Sequence, residues 1–155
     1  MHPTREERLT GVILTLFQLN GALLDWGDAF VAPEALTSAR WQMLGALALA
    51  GQPLSAPQVA AAMGVTRQGA QKQLNLLAEA RLVEVGPNPQ HKRSPLYRLT
   101  DEGRRVYGAI DARWKERARQ LAGGFSATEL ETTERVLTQL LAAHVPALPE
   151  RGHAS

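Results

Sequence analysis

The sequence predicts a mainly α-helical protein that carries one small β-hairpin. Three observations carry this expectation. Apolar residues recur at helical spacing through most of the chain, and several such runs follow a Ser or Thr suited to capping a helix. Between Leu82 and Leu99 the pattern changes to short β-type runs around three prolines. Just before that stretch, Gly64 separates two short helical runs at a point where a left-handed turn is needed.

The elements follow in order. Thr4 caps a first helix, with Glu6 and Glu7 in its first turn, where the helix dipole favours acids. Leu9, Val12, Ile13, Leu16, Leu23 and Leu24 give it an apolar stripe, widened by Phe17 and Leu19. Asn20-Gly21 and Gly27 are expected to interrupt it, and Pro33 marks its exit. Thr37 or Ser38 caps a second helix that stops at Gly51, and Pro53-Leu54 is extended. Ser55 caps a third helix, Ala56 to Met63, and Thr66 caps a fourth that runs to about Ala80. Leu82 to Val85 and Leu96 to Leu99 read as strands, with Pro87, Pro89 and Pro95 keeping the segment between them out of helix and strand. Thr100 caps a fifth helix that Gly123-Gly124 breaks, and Ser126-Ala127-Thr128-Glu129 is a capping box for the last one.

Composition narrows the function. The 155 residues are 45% apolar and 21% charged, the balance of a folded globular chain. No cysteine occurs, which excludes a disulfide framework, a thiolate metal site and cysteine-based oxidation sensing. No apolar run is expected to span a membrane, and the start, Met-His-Pro-Thr-Arg-Glu-Glu-Arg, lacks the pattern of a signal peptide. A cytoplasmic protein without a membrane partner is therefore expected. From Thr66 to Arg98, six bases (Arg67, Lys72, Arg81, Lys92, Arg93, Arg98) stand against Glu79 and Glu84. Such a local excess is an electrostatic footprint suited to nucleic acid, although a solvated surface gives the same count.

Two short helices joined by a glycine turn and followed by a hairpin make a winged helix-turn-helix. Val59, Ala60, Met63, Val65, Ala70, Leu74 and Leu77 are expected to pack the two helices together. The outward face of the fourth helix is then Thr66, Arg67, Gln68, Gln71, Lys72 and Asn75, with no acid among them. Gln and Asn can bond an adenine edge in two places, Arg can do so with guanine, and Lys72 suits a phosphate. Ser55 is counted with this DNA-contacting set. At the hairpin tip, His91, Lys92 and Arg93 could enter a minor groove.

These motifs resemble the multiple antibiotic resistance regulator (MarR) family over nearly the whole chain, most specifically from Leu36 to Gly103. Leu82-Val83-Glu84 is similar to that family's strand after the recognition helix. Leu99-Thr100-Asp101-Glu102-Gly103 is similar to its Leu-Thr-x-x-Gly leaving the wing. The family's wing usually carries an Asp followed by Asp-Arg-Arg. Here the stretch is Asn88 to Arg93, where Arg93 matches strictly and Lys92 conservatively. Gln73 stands where the family usually has an apolar residue.

The resemblance implies one domain over residues 1–155. Residues 1–35 and 101–146 would be dimerisation helices, 37–100 the winged helix-turn-helix core and 147–155 a loose tail. It implies a homodimeric transcription regulator, of repressor type, bound to a palindromic double-stranded DNA operator and released by a small ligand. The apolar breadth of the outer helices independently favours a dimer. The ligand is expected to be a small aromatic or acidic effector held by Trp26, Phe30, Arg40, Trp41 and Trp114, with packing as the competing role for the rings. No cofactor is expected. No metal-ligand spacing, phosphate-binding glycine loop or Ser/His/Asp signature appears, and Asp25 with Asp28 is too small a set for a metal, so an enzyme is not expected. A winged helix that binds protein instead of DNA is the alternative, because the scaffold is reused.

Overall fold

The structure is a computed structural model that describes residues 1–146; the tail expected at 147–155 lies outside the described residues. The chain divides into two compact units, Met1–Ala112 and Arg113–Ser155.

Helix α1 (Arg5–Val31) begins in a reciprocal cap. The Glu7 amide donates to the Thr4 hydroxyl at 3.1 Å, and the Thr4 amide to the Glu7 carboxylate at 2.7 Å. The helix then runs unbroken through Asn20, Gly21 and Gly27, against the expectation that these interrupt it. Gly27 is a point of close approach instead: a Cβ there would lie 2.2 Å from the Ser38 hydroxyl oxygen. Ser38 is buried, donating its hydroxyl to the Leu24 carbonyl and its amide to the Asp28 carboxylate, both at 2.7 Å. Gly27 and Asp28 thus dock the start of α2 (Ser38–Ala50) on α1.

Continuity corrects a second expectation. The stretch Arg5–Glu34 includes one turn of 3-10 helix, Ala32–Glu34, and has a mean hydropathy of 1.2 over its most apolar window. By length and composition alone it is long and apolar enough to cross a membrane. Length and composition do not distinguish a covering of lipid from a covering of protein.

Helix α2 is the centre of the first unit, burying Met43, Leu44, Ala46 and Leu47. After β1 (Leu54–Ser55) come α3 (Ala56–Met63) and α4 (Arg67–Glu79), joined at Gly64 with φ of 65°. Val59, Ala60, Ala70, Leu74 and Leu77 are buried between these helices and α2, and Met63 packs at the edge. Val65, expected in this set, is exposed: its amide is spent on the Ala60 carbonyl at 3.1 Å, and its side chain turns outward.

Strands β2 (Val83–Gly86) and β3 (Leu96–Leu99) form the hairpin, and β1 adds to it in the antiparallel order β1-β3-β2. Strand β2 starts one residue later than expected because the Leu82 amide still bonds to the Leu77 carbonyl at the exit of α4. In β3, Tyr97 stands opposite Leu54 on one side and Val85 on the other.

The Leu-Thr-x-x-Gly segment locks the root of the hairpin to α5 (Asp101–Ala122). The Thr100 amide donates to Leu82 at 3.1 Å, and its hydroxyl donates to the Arg81 carbonyl at 2.7 Å and accepts from the Gly103 amide at 3.0 Å. Gly103 is where α5 meets the backbone of Leu82. Val106 and Ile110 of α5 complete the core of the first unit.

In the second unit, α6 (Ala127–His144) starts at the Ser126–Glu129 capping box and buries no residue.

Candidate nucleic-acid interface

Local chemistry sets the orientation of α4. The Thr66 hydroxyl accepts from the Gly69 amide at 3.0 Å and starts the helix. Ala70, Leu74 and Leu77 are fully buried, so the opposite face must point outward. Thr66, Arg67, Gln68, Lys72 and Asn75 are exposed there, and Gln71 is half-buried. The one acid of the helix, Glu79, sits in its last turn, away from this cluster.

The hairpin tip is shaped by Asn88, which the sequence reading did not single out. Its side-chain amide donates to the Ser94 carbonyl at 2.8 Å, and its side-chain carbonyl accepts from the Gln90 amide at 3.1 Å. Backbone bonds from His91 to Asn88 and from Ser94 to His91 close the tip. An Asn among prolines is the sequence signal of such an Asx turn. Lys92 and Arg93 stand exposed on this frame.

Helix and hairpin converge. A cleft of about 290 Å³ is lined by Arg67, Gln68 and Gln71 of α4, Arg93, Ser94 and Pro95 of the hairpin, and Ala56 and Pro57 of α3. No carboxylate lines it. Among the described residues, Arg67, Lys72, Lys92 and Arg93 make no ion pair, whereas Arg98 on β3 is paired with Glu84 at 2.8 Å. The unpaired positive charge beside the cleft therefore lies on α4 and the tip; Arg81, also unpaired among the described residues, follows the end of α4.

A second residue missed in the sequence lies beneath α4. Tyr97 is 3% exposed, and its hydroxyl accepts from the Gln71 side-chain amide at 2.7 Å. The same Gln71 nitrogen donates to the Asn75 side-chain carbonyl at 2.9 Å. The available signal is a tyrosine inside a strand: when buried, its hydroxyl needs a partner.

Ser55 does not join the interface. It is buried, and both its amide and its hydroxyl donate to the Gln58 side chain, at 2.9 and 3.2 Å. Its role is to cap α3, which corrects its place among the DNA contacts.

Four of the residues expected to hold a ligand lie in the first unit. Trp26 stacks on Phe30 with ring centroids 4.6 Å apart, and Phe30 meets Trp41 at 5.5 Å. Phe30 and Trp41 pack against the core, and the Arg40 guanidinium donates to the Thr37 hydroxyl at 3.3 Å. Trp114 belongs to the second unit. A larger cleft of about 530 Å³ lies elsewhere in the first unit, between Leu47, Pro53, Arg98, Leu99, Arg104 and Tyr107 among others. None of the five expected residues lines it.

A helix-turn-helix, a three-stranded winged sheet and a second helix whose outward face carries no acid define a winged helix-turn-helix protein. Within that class, the sequence profile of the MarR family matches residues 36–94. An uncharacterized protein of Mycobacterium tuberculosis is 36% identical over 137 residues, covering 88% of this chain and 94% of the relative. The crystal structure of a MarR family transcription regulator aligns at a TM-score of 0.74 with 28% identity, over 89% of this chain and 93% of that one. A mutant MarR from E. coli, crystallised with operator DNA, shares the fold at a TM-score of 0.72 and 19% identity, over 90% of this chain and 99% of that one. The chain belongs to the MarR family of transcription regulators.

Proposed function

We propose that the protein is a homodimeric repressor that binds a palindromic double-stranded DNA operator and is released from it by a small aromatic or acidic effector. The observation that carries the DNA reading is the carboxylate-free cleft where Arg67, Gln68 and Gln71 meet Arg93 of the wing. The first turns of α4 enter a major groove. Arg67 addresses a guanine edge, Gln68 an adenine edge, and Lys72 a phosphate. Lys92 and Arg93 reach the neighbouring minor groove from a tip that Asn88 holds in shape. The half-sites lie about one helical turn apart. The crystallised E. coli relative, bound to operator DNA, supports the same direction.

Dimerisation is supported by apolar surface that a lone chain leaves wet. On α1, Leu14 and Phe17 are 58% and 72% exposed, and Leu9, Val12, Leu19 and Leu23 are also exposed. On α6, Leu130 and Leu141 are exposed, as is Val145 just beyond it. Surfaces of this kind mark interfaces. A second copy, and not lipid, covers α1, and the protein works in the cytoplasm where its operator is. In this reading the effector meets Trp26, Phe30, Arg40, Trp41 and Trp114, and the stacking of Trp26 on Phe30 beside Trp41 supports an aromatic wall. Quenching of tryptophan fluorescence together with release from DNA tests that placement.

The central test is operator binding by fluorescence anisotropy at two salt concentrations. Four free cations per protomer make about eight phosphate or groove contacts in the dimer. Affinity is then expected to fall by about 10³-fold or more between about 50 and 200 mM salt. A salt-independent, sequence-blind or absent interaction would overturn the proposal in favour of a protein-binding module.

A further inference from the structure

We infer that Tyr97 determines which bases α4 can read, by holding the side-chain amide of Gln71 in one orientation. The inference rests on the DNA-binding reading above and refines it.

A glutamine amide offers two N–H donors and one carbonyl acceptor. In Gln71 the nitrogen donates to the Tyr97 hydroxyl at 2.7 Å and to the Asn75 carbonyl at 2.9 Å. Both donors are consumed inside the protein. What remains for DNA is the Gln71 carbonyl. Asn75 is left in the complementary state: its carbonyl is occupied, and its NH₂ is open to the groove. The exposed face therefore shows an acceptor at Gln71 and a donor at Asn75.

The hydroxyl cannot swing away from this bond. Tyr97 occupies the central strand, is in register with Leu54 and Val85, and has its ring buried under α4. By contrast, Gln68 makes no side-chain hydrogen bond within the described residues and keeps its full set of donors and acceptors.

The consequence is a specific readout. Two-point recognition of adenine by glutamine needs an N–H for N7 as well as a carbonyl for the N6 amino group. Gln71 has no N–H to spare. It accepts from a base amino group, that of cytosine or adenine, without touching N7. Asn75 donates to an acceptor on a base edge: N7 or O6 of guanine, O4 of thymine or N7 of adenine. The backbone positions of the two residues are about 6 Å apart along the helix axis, but their amides meet at 2.9 Å, so the two groups address the same or adjoining base pairs. Bidentate adenine recognition falls to Gln68 alone.

The test uses the full chain. The preferred site is first selected from a randomised DNA library with the wild-type protein. Affinities and base preferences are then compared for Tyr97→Phe, Gln71→Ala, the double variant and Gln71→Glu, with melting curves for each. Tyr97→Phe keeps the buried ring and removes one bond. It is expected to bind the preferred site roughly two- to tenfold more weakly. Its preference should relax only at the base pair that Gln71→Ala also relaxes, shifting towards adenine as the freed N–H reaches N7. The double variant should match Gln71→Ala alone. Gln71→Glu still shows the groove an acceptor and should keep the preference for a base amino group.

An unchanged site and affinity in Tyr97→Phe would overturn the inference, as would a uniform loss across all sequences. A lost preference in Gln71→Glu would also overturn it, even if Tyr97→Phe failed to fold. If the wild-type protein selected no sequence at all, the DNA-binding reading itself would fall, and this inference with it.

Discussion

At position 103 a single methyl group would sit 2.0 Å from the Leu82 carbonyl oxygen, and that atom belongs to backbone already engaged by Thr100. Neither side can give way cheaply. Gly103→Ala is expected to destabilise the fold by about 1–3 kcal/mol, measured as a shift in denaturant midpoint at unchanged slope. Arg81 presents the opposite case. It adopts a left-handed conformation, with φ of 60°, although it carries a side chain. Arg81→Gly should raise stability by about 0.5–1 kcal/mol, the steric relief less the added backbone entropy of glycine. On the outward face of α4, Gln68→Ala or Arg67→Ala should cost about 1–3 kcal/mol on the preferred site and blur the base preference there. If both changes left operator affinity intact, the assignment of that face would be wrong.

Elements carry their own tests. The wing tip is a loop given shape by one side chain, since Asn88 bonds to Ser94 and to Gln90. Asn88→Ala should leave the core intact yet weaken operator binding, because Lys92 and Arg93 must then be ordered on contact. A matched affinity in the variant would show that the tip needs no preset shape. At the start of α6, the Ser126 backbone amide, and secondarily its side chain, hold the Glu129 carboxyl below the usual glutamate range. A lowered pKa in the folded state means that this cap contributes fully above the ordinary glutamate value and is lost as pH falls through the lowered one. Far-ultraviolet circular dichroism in an acid titration should show helix content falling over that window. Glu129→Gln should flatten this part of the curve, because an amide bonds the same backbone group without titrating.

For the whole molecule, the decisive quantity is what covers α1. Its exposed leucines and Phe17 form an apolar surface of the kind that marks interfaces. Phe17→Asp combined with Leu14→Asp should convert a dimer into a monomer, as read by light scattering on a sizing column. Operator affinity should fall by about 10²-fold or more, because each half-site is then bound separately. A wild-type chain that runs as a monomer at working concentration, or fractionates with membranes, would refute the second-copy account.

Much of the fold was legible because its signals are local. Thr4, Thr37, Ser55, Thr66 and Ser126 start their helices as expected, since a cap joins residues two or three positions apart. The glycine turn at Gly64 and the hairpin are local in the same sense. Some of the points that differ depend on distant neighbours, others on how a turn or helix end is hydrogen-bonded. Gly27 looked like a breaker and is a docking point for Ser38, and once it proved helical the apolar run of α1 became long enough to span a bilayer. Val65 and Ser55 exchange the roles expected of an apolar and a polar residue, because the turn between α3 and α4 and the strand β1 decide which of them faces inward.

By itself, the sequence determined the order of the elements, the acid-free face of α4 and the family to which the chain belongs, because periodicity, caps and charge are properties of neighbours along the chain. Only the tertiary structure decided which hydrogen-bonding groups on that face remain free. Gln71 and Tyr97 are 26 residues apart in sequence and 2.7 Å apart in space. An amide committed to a partner from another element can no longer offer the same donors to DNA.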